Sequence, residues 1–181
     1  MMASKRENNE GLQRAELHRK IWSIADNVRG AVDGWDFKQY ILGILFYRFI
    51  SENMRDYFNK AEYEAGDVEF NYADISDEEA LKYFKAGTVE EKGFFILPSQ
   101  LFENVVKTAN EQDDLNVQLD NIFKEIEGSA IGHGSEEDIR GLFRDVDLTS
   151  DRLGETVQEK NTKLTNILVG ISELNFGNFE D

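Results

Sequence analysis

The chain contains no cysteine, which removes disulfides, thiolate metal sites and a cysteine nucleophile from consideration. It contains one proline, Pro98. That scarcity favours long uninterrupted helices over a turn-rich β-sandwich. Long hydrophobic runs are also missing. The most apolar stretch, Tyr40–Ile50, is broken by Arg48 and falls far short of the roughly 20 residues that span a bilayer. The polar opening, MMASKRENNEGLQRAE, lacks the apolar centre of a signal peptide. A cytoplasmic protein with no membrane partner is expected.

Hydrophobic residues make up 40% of the chain and aromatics 12%, enough for a substantial core. The formal charge of −16 is unevenly spread. Residues 1–60 hold ten Lys or Arg against eight Asp or Glu, so residues 61–181 hold ten against 28, a net −18. Such an acidic body repels phosphate backbones, and the isolated chain should bind DNA poorly. Solubility explains the acidity most simply; repelling or mimicking nucleic acid is the functional alternative.

Leu17, Ile21, Ile24 and Val28 recur at helical spacing, and Arg29-Gly30 supplies a stop. Asp33-Gly34 is turn chemistry, with Asp33 or Asp36 as an N-cap. A second helix is predicted over about 37–60. Tyr40, Ile41, Ile44, Leu45, Phe46, Phe49 and Ile50 surround it with apolar surface, making it the central rod. Gly43 within it suits close approach of another helix. Residues 61–75 read as a connection. Ser76-Asp77-Glu78-Glu79 is a capping-box pattern opening a helix to about Ala86, and Thr88–Glu91 repeats it. Phe94–Leu97, ended by Pro98, is extended, a strand or hairpin arm. Ser99 is placed to cap a helix to about Ala109. Leu115, Leu119, Ile122, Phe123 and Ile126 mark another helix, Gly128–Gly134 a loop, and Ser135–Asp138 a further helix start. Leu148–Gly154 is turn-like. A last helix covers about 155–174, with Val157, Leu164, Leu168 and Ile171 in one stripe. The prediction is a mainly α, compact domain of about seven helices, with at most a small extended or two-stranded element near residues 93–98. Residues 1–16 are expected to be a polar arm or helix start, 17–174 a single helical domain and 175–181 a tail.

Gly132-His133-Gly134 precedes a helix, where backbone amides can cradle phosphate. The pattern fails here: a helix comes before it, there is no P-loop lysine, and Glu136, Glu137 and Asp138 crowd the first turn. His18 and His133, the only histidines, lie in no paired-ligand spacing. Asp145 with Asp147, and Asp113 with Asp114, lack the glycine and closing glutamate of a calcium loop. No catalytic, cofactor-binding or metal residues are assigned. Trp22, Trp35, Phe37 and Tyr40 fit a core better than a base-stacking platform. Arg29, Lys38, Arg48 and Arg55 stand open between two roles: contact with phosphate or a partner, and pairing with carboxylates to bridge helices.

Trp22–Gly30 (WSIADNVRG) followed by Asp36–Ser51 (DFKQYILGILFYRFIS) resembles the opening of the methylation (modification) subunit of type I restriction–modification systems. Phe37 and Phe49 stand where that family typically has tyrosine. Gly93–Pro98 with Leu101-Phe102 resembles its second landmark, and Leu148–Gly154 with the helix to Phe176 its third. The resemblance covers nearly the whole chain.

Full-length members of that family are adenine-N6 DNA methyltransferases that use S-adenosylmethionine, and their catalytic domain follows this helical one. The resemblance implies a glycine-rich cofactor turn and an Asn-Pro-Pro-Tyr or -Phe motif in that later domain. A single proline preceded by Leu97 excludes the motif here. This segment alone is therefore expected to bind no cofactor and to transfer no methyl group; its parent would do both. The implied partners are a specificity subunit, a second methylation subunit, a restriction subunit and double-stranded DNA within the complex. The implied role is subunit assembly and closure of that complex around DNA. A free-standing acidic helical adaptor or DNA mimic is the alternative.

Overall fold

The computed structural model describes residue 19 and residues 34–174. The first predicted helix, Arg29, Trp22, His18 and the 175–181 tail lie outside the described residues. Among the described residues there are seven α-helices and no strand. They are α1 (Gly34–Ala65), α2 (Asp77–Tyr83), α3 (Lys85–Lys92), α4 (Phe102–Thr108), α5 (Leu115–Ser129), α6 (Glu136–Phe143) and α7 (Val157–Ser172). Short 3₁₀ turns fill Tyr72–Asp74, Pro98–Gln100, Ala109–Glu111 and Asp151–Leu153. The expected mainly α fold is the one found.

Helix α1 is the organising rod, 32 residues or about 48 Å long. Tyr40, Ile44, Tyr47, Ser51, Met54 and Phe58 follow one another at spacings of three and four, and all are buried. That face packs on α4 and α7, and α7 in turn packs on α5. The rod is one-sided, however. Leu42, Phe46 and Phe49 are 47%, 43% and 62% exposed, so apolar side chains do not enclose α1 with core on every side. The helix lies at the margin of the bundle and has an outer face.

Gly43 admits a close neighbour, as its place in the run suggested, but the neighbour is the loop after α6. A Cβ at Gly43 would stand 2.3 Å from Val146 Cγ2. Gly93 has a left-handed φ of 81° and ends α3, the conformation glycine adopts at least cost. A Cβ there would meet Ser135 Oγ at 2.1 Å, and that hydroxyl donates to the Gly93 carbonyl at 2.6 Å.

The segment 94–97 is extended as expected, but it leads into the Pro98–Gln100 turn and pairs with no strand. Side chains satisfy its backbone instead. Ser129 Oγ accepts from Phe95 N–H at 2.9 Å, and Tyr72 Oη donates to Ile96 O at 2.7 Å. Met54 Sδ accepts from Ile96 N–H, Tyr47 Oη donates to Gln100 O, and Ser51 Oγ accepts from Phe102 N–H at 3.1 Å. Asn104 Nδ2 donates to Ala73 O and Pro98 O at 2.9 and 2.8 Å. Buried backbone groups need such partners, and this set replaces a sheet.

Several predicted boundaries shift for local reasons. Helix α1 runs five residues past Lys60, to Ala65. Ser76 caps α2 by accepting from Glu79 N–H at 3.2 Å, as expected, but the helix breaks at Phe84 and α3 follows at once. Thr88 lies inside α3, its hydroxyl turned back to Phe84 O at 2.6 Å rather than capping a new helix. Ser99 caps nothing. Its amide and hydroxyl are both taken by Asp77, at 2.9 and 2.5 Å, and α4 begins only at Phe102. Helix α5 extends through Ser129 into the predicted loop. In α7 the residues Leu164, Leu168 and Ile171 are buried, while Val157, in the first turn of the same stripe, is 53% exposed. Thr156 and Glu159 form the capping box there.

Candidate functional site

Three of the four cationic candidates can be placed, all on α1. Lys38 is exposed near its start. The Arg48 side chain is only 12% exposed. Its Nη1 donates to Ile171 O at 2.6 Å and Leu174 O at 2.7 Å, and its Nε to Glu52 at 2.8 Å. A helix leaves its last carbonyls without intrahelical donors, and Arg48 supplies them for α7. Arg55 pairs with Asp56 at 2.8 Å and with Glu103 of α4 at 3.0 Å. Partial burial alone would lower its pKa, but the hydrogen bonds it donates to the two carboxylates outweigh burial and raise it. Arg48 and Arg55 thus hold α7 and α4 to the rod, and the three residues do not converge on one point. Arg29 lies outside the described residues.

The loop between α5 and α6 is occupied by its own carboxylate. Glu136 Oε2 accepts from Gly132 N–H at 2.9 Å, and Arg140 donates to the same carboxylate. The Gly132 hydrogen bond is the main reason the Glu136 pKa is lowered. A phosphate would have to displace that group, so this glycine turn is not an open phosphate cradle. Asp147 is likewise committed, accepting from Thr149 Oγ1 at 2.8 Å and Thr149 N–H at 3.0 Å. Among the described residues no three His, Asp or Glu side chains cluster as metal ligands.

Two concave features were not anticipated. A groove of about 610 Å³ runs between the Ala109–Glu111 turn and the first half of α7. Asn110, Gln112, Asn161, Thr162, Thr165 and Asn166 line it, with Asp113 the one acidic residue among its described walls. The legible signal was the pair of i, i+4 steps, Asn161 to Thr165 and Thr162 to Asn166, an uncharged polar stripe in a heavily charged chain. Asn161 is also structural: its Nδ2 donates to Asp113 O at 2.7 Å and its Oδ1 accepts from Asn116 N–H at 3.0 Å. A smaller hollow of about 270 Å³ between α5 and α6 gathers Lys124, Arg140 and Arg144 with Asp120 and Glu127. Burial raises the Glu127 pKa there, against the pull of Arg140.

The turn Leu148–Gly154 is tied to α7 by a buried lysine. Lys160 Nζ donates to Thr149 O at 2.8 Å and contacts Asp151 at 3.1 Å. With residues 94–102 and the buried face of α1, the described parts of the landmark stretches pack into one helical core. Their match to known proteins is equally extensive. The family model for the HsdM N-terminal domain matches residues 17–171. The chain belongs to the HsdM N-terminal domain family. It is 44% identical over 174 residues to the type I restriction enzyme MpnII methylase subunit of Mycoplasma pneumoniae (strain ATCC 29342 / M129 / Subtype 1). That alignment covers 93% of this chain and 32% of the relative. A crystal structure of the type I restriction–modification system methyltransferase subunit from Streptococcus thermophilus superposes with a TM-score of 0.69 at 27% identity, covering 91% of this chain and 35% of that one. The chain therefore spans about a third of the length of the relatives it matches. As an HsdM N-terminal domain, it is a helical domain of a type I methylation subunit.

Proposed function

We propose that this HsdM N-terminal domain contributes to subunit assembly in a type I restriction–modification complex and helps close that complex around DNA. On this reading, adenine-N6 methylation with S-adenosylmethionine belongs to a further part of the methylation subunit. The observation that carries the reading is the alignment itself: 44% identity across almost all of this chain, confined to about a third of a methylase subunit. The expected setting is cytoplasmic. No described helix is long and apolar enough to cross a membrane.

The proposed partners are a specificity subunit, a second methylation subunit and a restriction subunit. Electrostatics favours indirect engagement of DNA. A net −18 over residues 61–181 opposes a polyanion, and Arg48 and Arg55 are already hydrogen-bonded within the fold. Among the cationic candidates placed on α1, Lys38 is the exposed one, and a contact with phosphate of a duplex held by other subunits is proposed for it.

Sedimentation and gel-shift titration with the cognate specificity subunit test this reading. The domain should bind 20-base-pair duplex only weakly by itself at physiological salt, and should be retained on DNA when the specificity subunit is present. Sub-micromolar autonomous DNA binding would contradict it.

A further inference from the structure

We propose that the groove between the Ala109–Glu111 turn and α7 is the docking site for an extended peptide segment of a partner subunit, one that carries lysine or arginine at one end. The inference rests on the assembly role proposed above and deepens it, naming where on this domain a partner is held and by what chemistry.

The fold fixes the shape of this groove. Buried Asn161 ties its two walls together. The Nδ2 of Asn161 donates to Asp113 O at 2.7 Å, and its Oδ1 accepts from Asn116 N–H at 3.0 Å. The opening of about 610 Å³ is thus set before anything enters it, which lowers the ordering cost of binding. Its polar groups also exceed what the fold consumes. Among the described residues the side chains of Asn110, Gln158, Thr165 and Asn166, all in these walls, make no hydrogen bond.

The chemistry of the walls selects the occupant. No Lys or Arg lines the groove, so a phosphate finds no cation there. Val157 is the one large apolar wall residue, so an apolar ligand finds little to bury against. Amide side chains offer donors and acceptors together, which is what a peptide main chain requires. The spacing agrees. Gln158, Thr162 and Asn166 stand at i, i+4 and i+8 along α7, a rise of about 6 Å per step. An extended chain repeats its same-side peptide groups every two residues, about 6.6 Å. Five or so residues would therefore lie along the stripe in register, with Val157 meeting one side chain. Charge sets the sign. Asp113 is in the wall, and exposed Glu111 and Asp114 adjoin wall residues in the chain. None of the three forms an ion pair among the described residues, so this end of the groove favours a cationic side chain.

The test arrays overlapping peptides of about 12 residues, enough to exceed the stripe, covering the specificity, methylation and restriction subunits. They are probed with the 181-residue chain, and captured peptides are titrated by fluorescence anisotropy. At least one peptide with a terminal Lys or Arg should be captured. Gln158→Ala with Asn166→Ala, both at exposed positions, should weaken it at least about tenfold while the helical circular dichroism is retained. Asp113→Asn should weaken it less and reduce its salt dependence. Asp113 meets Asn161 through its backbone carbonyl, so the tie between the walls survives that change. Capture of no peptide, capture indifferent to these variants, or a preference for acidic peptides would overturn the proposal. Subunits that co-sediment with this chain while no peptide is captured would strike the groove and leave the assembly reading standing. Groove-dependent capture without co-sedimentation would support the peptide site and strike the assembly reading.

Discussion

Arg48 on α1 and Leu174 at the end of α7 are joined by a 2.7 Å hydrogen bond from the guanidinium to the backbone carbonyl. The same nitrogen reaches Ile171 O, and Nε holds Glu52. The most apolar helix and the last one are therefore locked by a charged group. Arg48→Ala should lower the unfolding free energy by about 1–3 kcal/mol, because it removes the side-chain donor to Leu174 O, a second donor to Ile171 O and the partner of Glu52. Arg48→Lys should recover only part, since an ammonium cannot reproduce the planar fork. Urea unfolding checks both. A residue kept only to contact DNA would leave stability unchanged.

Gly43 gives a prediction whose sign opposes helix propensity. Ala in place of Gly inside an exposed helix gains up to about 1 kcal/mol. Here the new Cβ would stand 2.3 Å from Val146 Cγ2. Gly43→Ala should destabilise by about 1–3 kcal/mol. Adding Val146→Ala should restore part of that loss, and a double-mutant cycle of unfolding energies measures the coupling.

Tyr47 is fully buried, and burial pushes its hydroxyl pKa well above the ordinary tyrosine value. It stays neutral and donates to Gln100 O while its ring meets Phe102 and Phe123 at 5.7 and 5.2 Å. Tyr47→Phe keeps the ring and removes the donor. It should cost about 1–3 kcal/mol, the penalty of an unsatisfied buried carbonyl. Thermal unfolding and amide exchange at residues 96–102 read it, and unchanged protection there would refute the role assigned to Tyr47.

Asp147 sets an acid-side dependence. Its hydrogen bond from the Thr149 hydroxyl holds its pKa below the ordinary value of 3.8. The unfolded chain therefore binds a proton more readily than the folded one. The associated stability is fully present above pH 3.8 and is lost as pH falls through the lower folded pKa. Asp147→Asn should flatten this part of the stability profile between about pH 4 and 2, as measured by denaturant midpoints across pH.

Periodicity was enough to read α5 and α7, because each carries an apolar stripe at regular spacing and docks it directly. It was enough to identify α1 as a helix but not to show its outer face. Phe46 and Phe49 stand in the same apolar and aromatic run as Ile44 and Tyr47, and the packing partners distinguish them. The extended segment 94–97 was legible from Pro98, but the side chains that satisfy the backbone of residues 94–102 were not. A strand is completed by backbone, whereas this segment is completed by Tyr47, Ser51, Met54, Tyr72 and Ser129, brought from far along the chain. Ser99 misled for a similar reason: a hydroxyl before a helix is a cap only if nothing better is in reach, and Asp77 was. For the cationic candidates the sequence left two readings open. The structure gives Arg48 and Arg55 bridging contacts, and their residue type alone held no information about which helix would lie opposite.

The most direct measurement is adenine methylation by a chimera. The Mycoplasma pneumoniae methylase subunit would carry this chain in place of its own aligned third and be reconstituted with its specificity subunit. The account predicts DNA-dependent transfer of labelled methyl from S-adenosylmethionine by the chimera, and none when that third is deleted or when this chain is assayed alone. Methylation by this chain alone, or equal activity from the deletion, would contradict it.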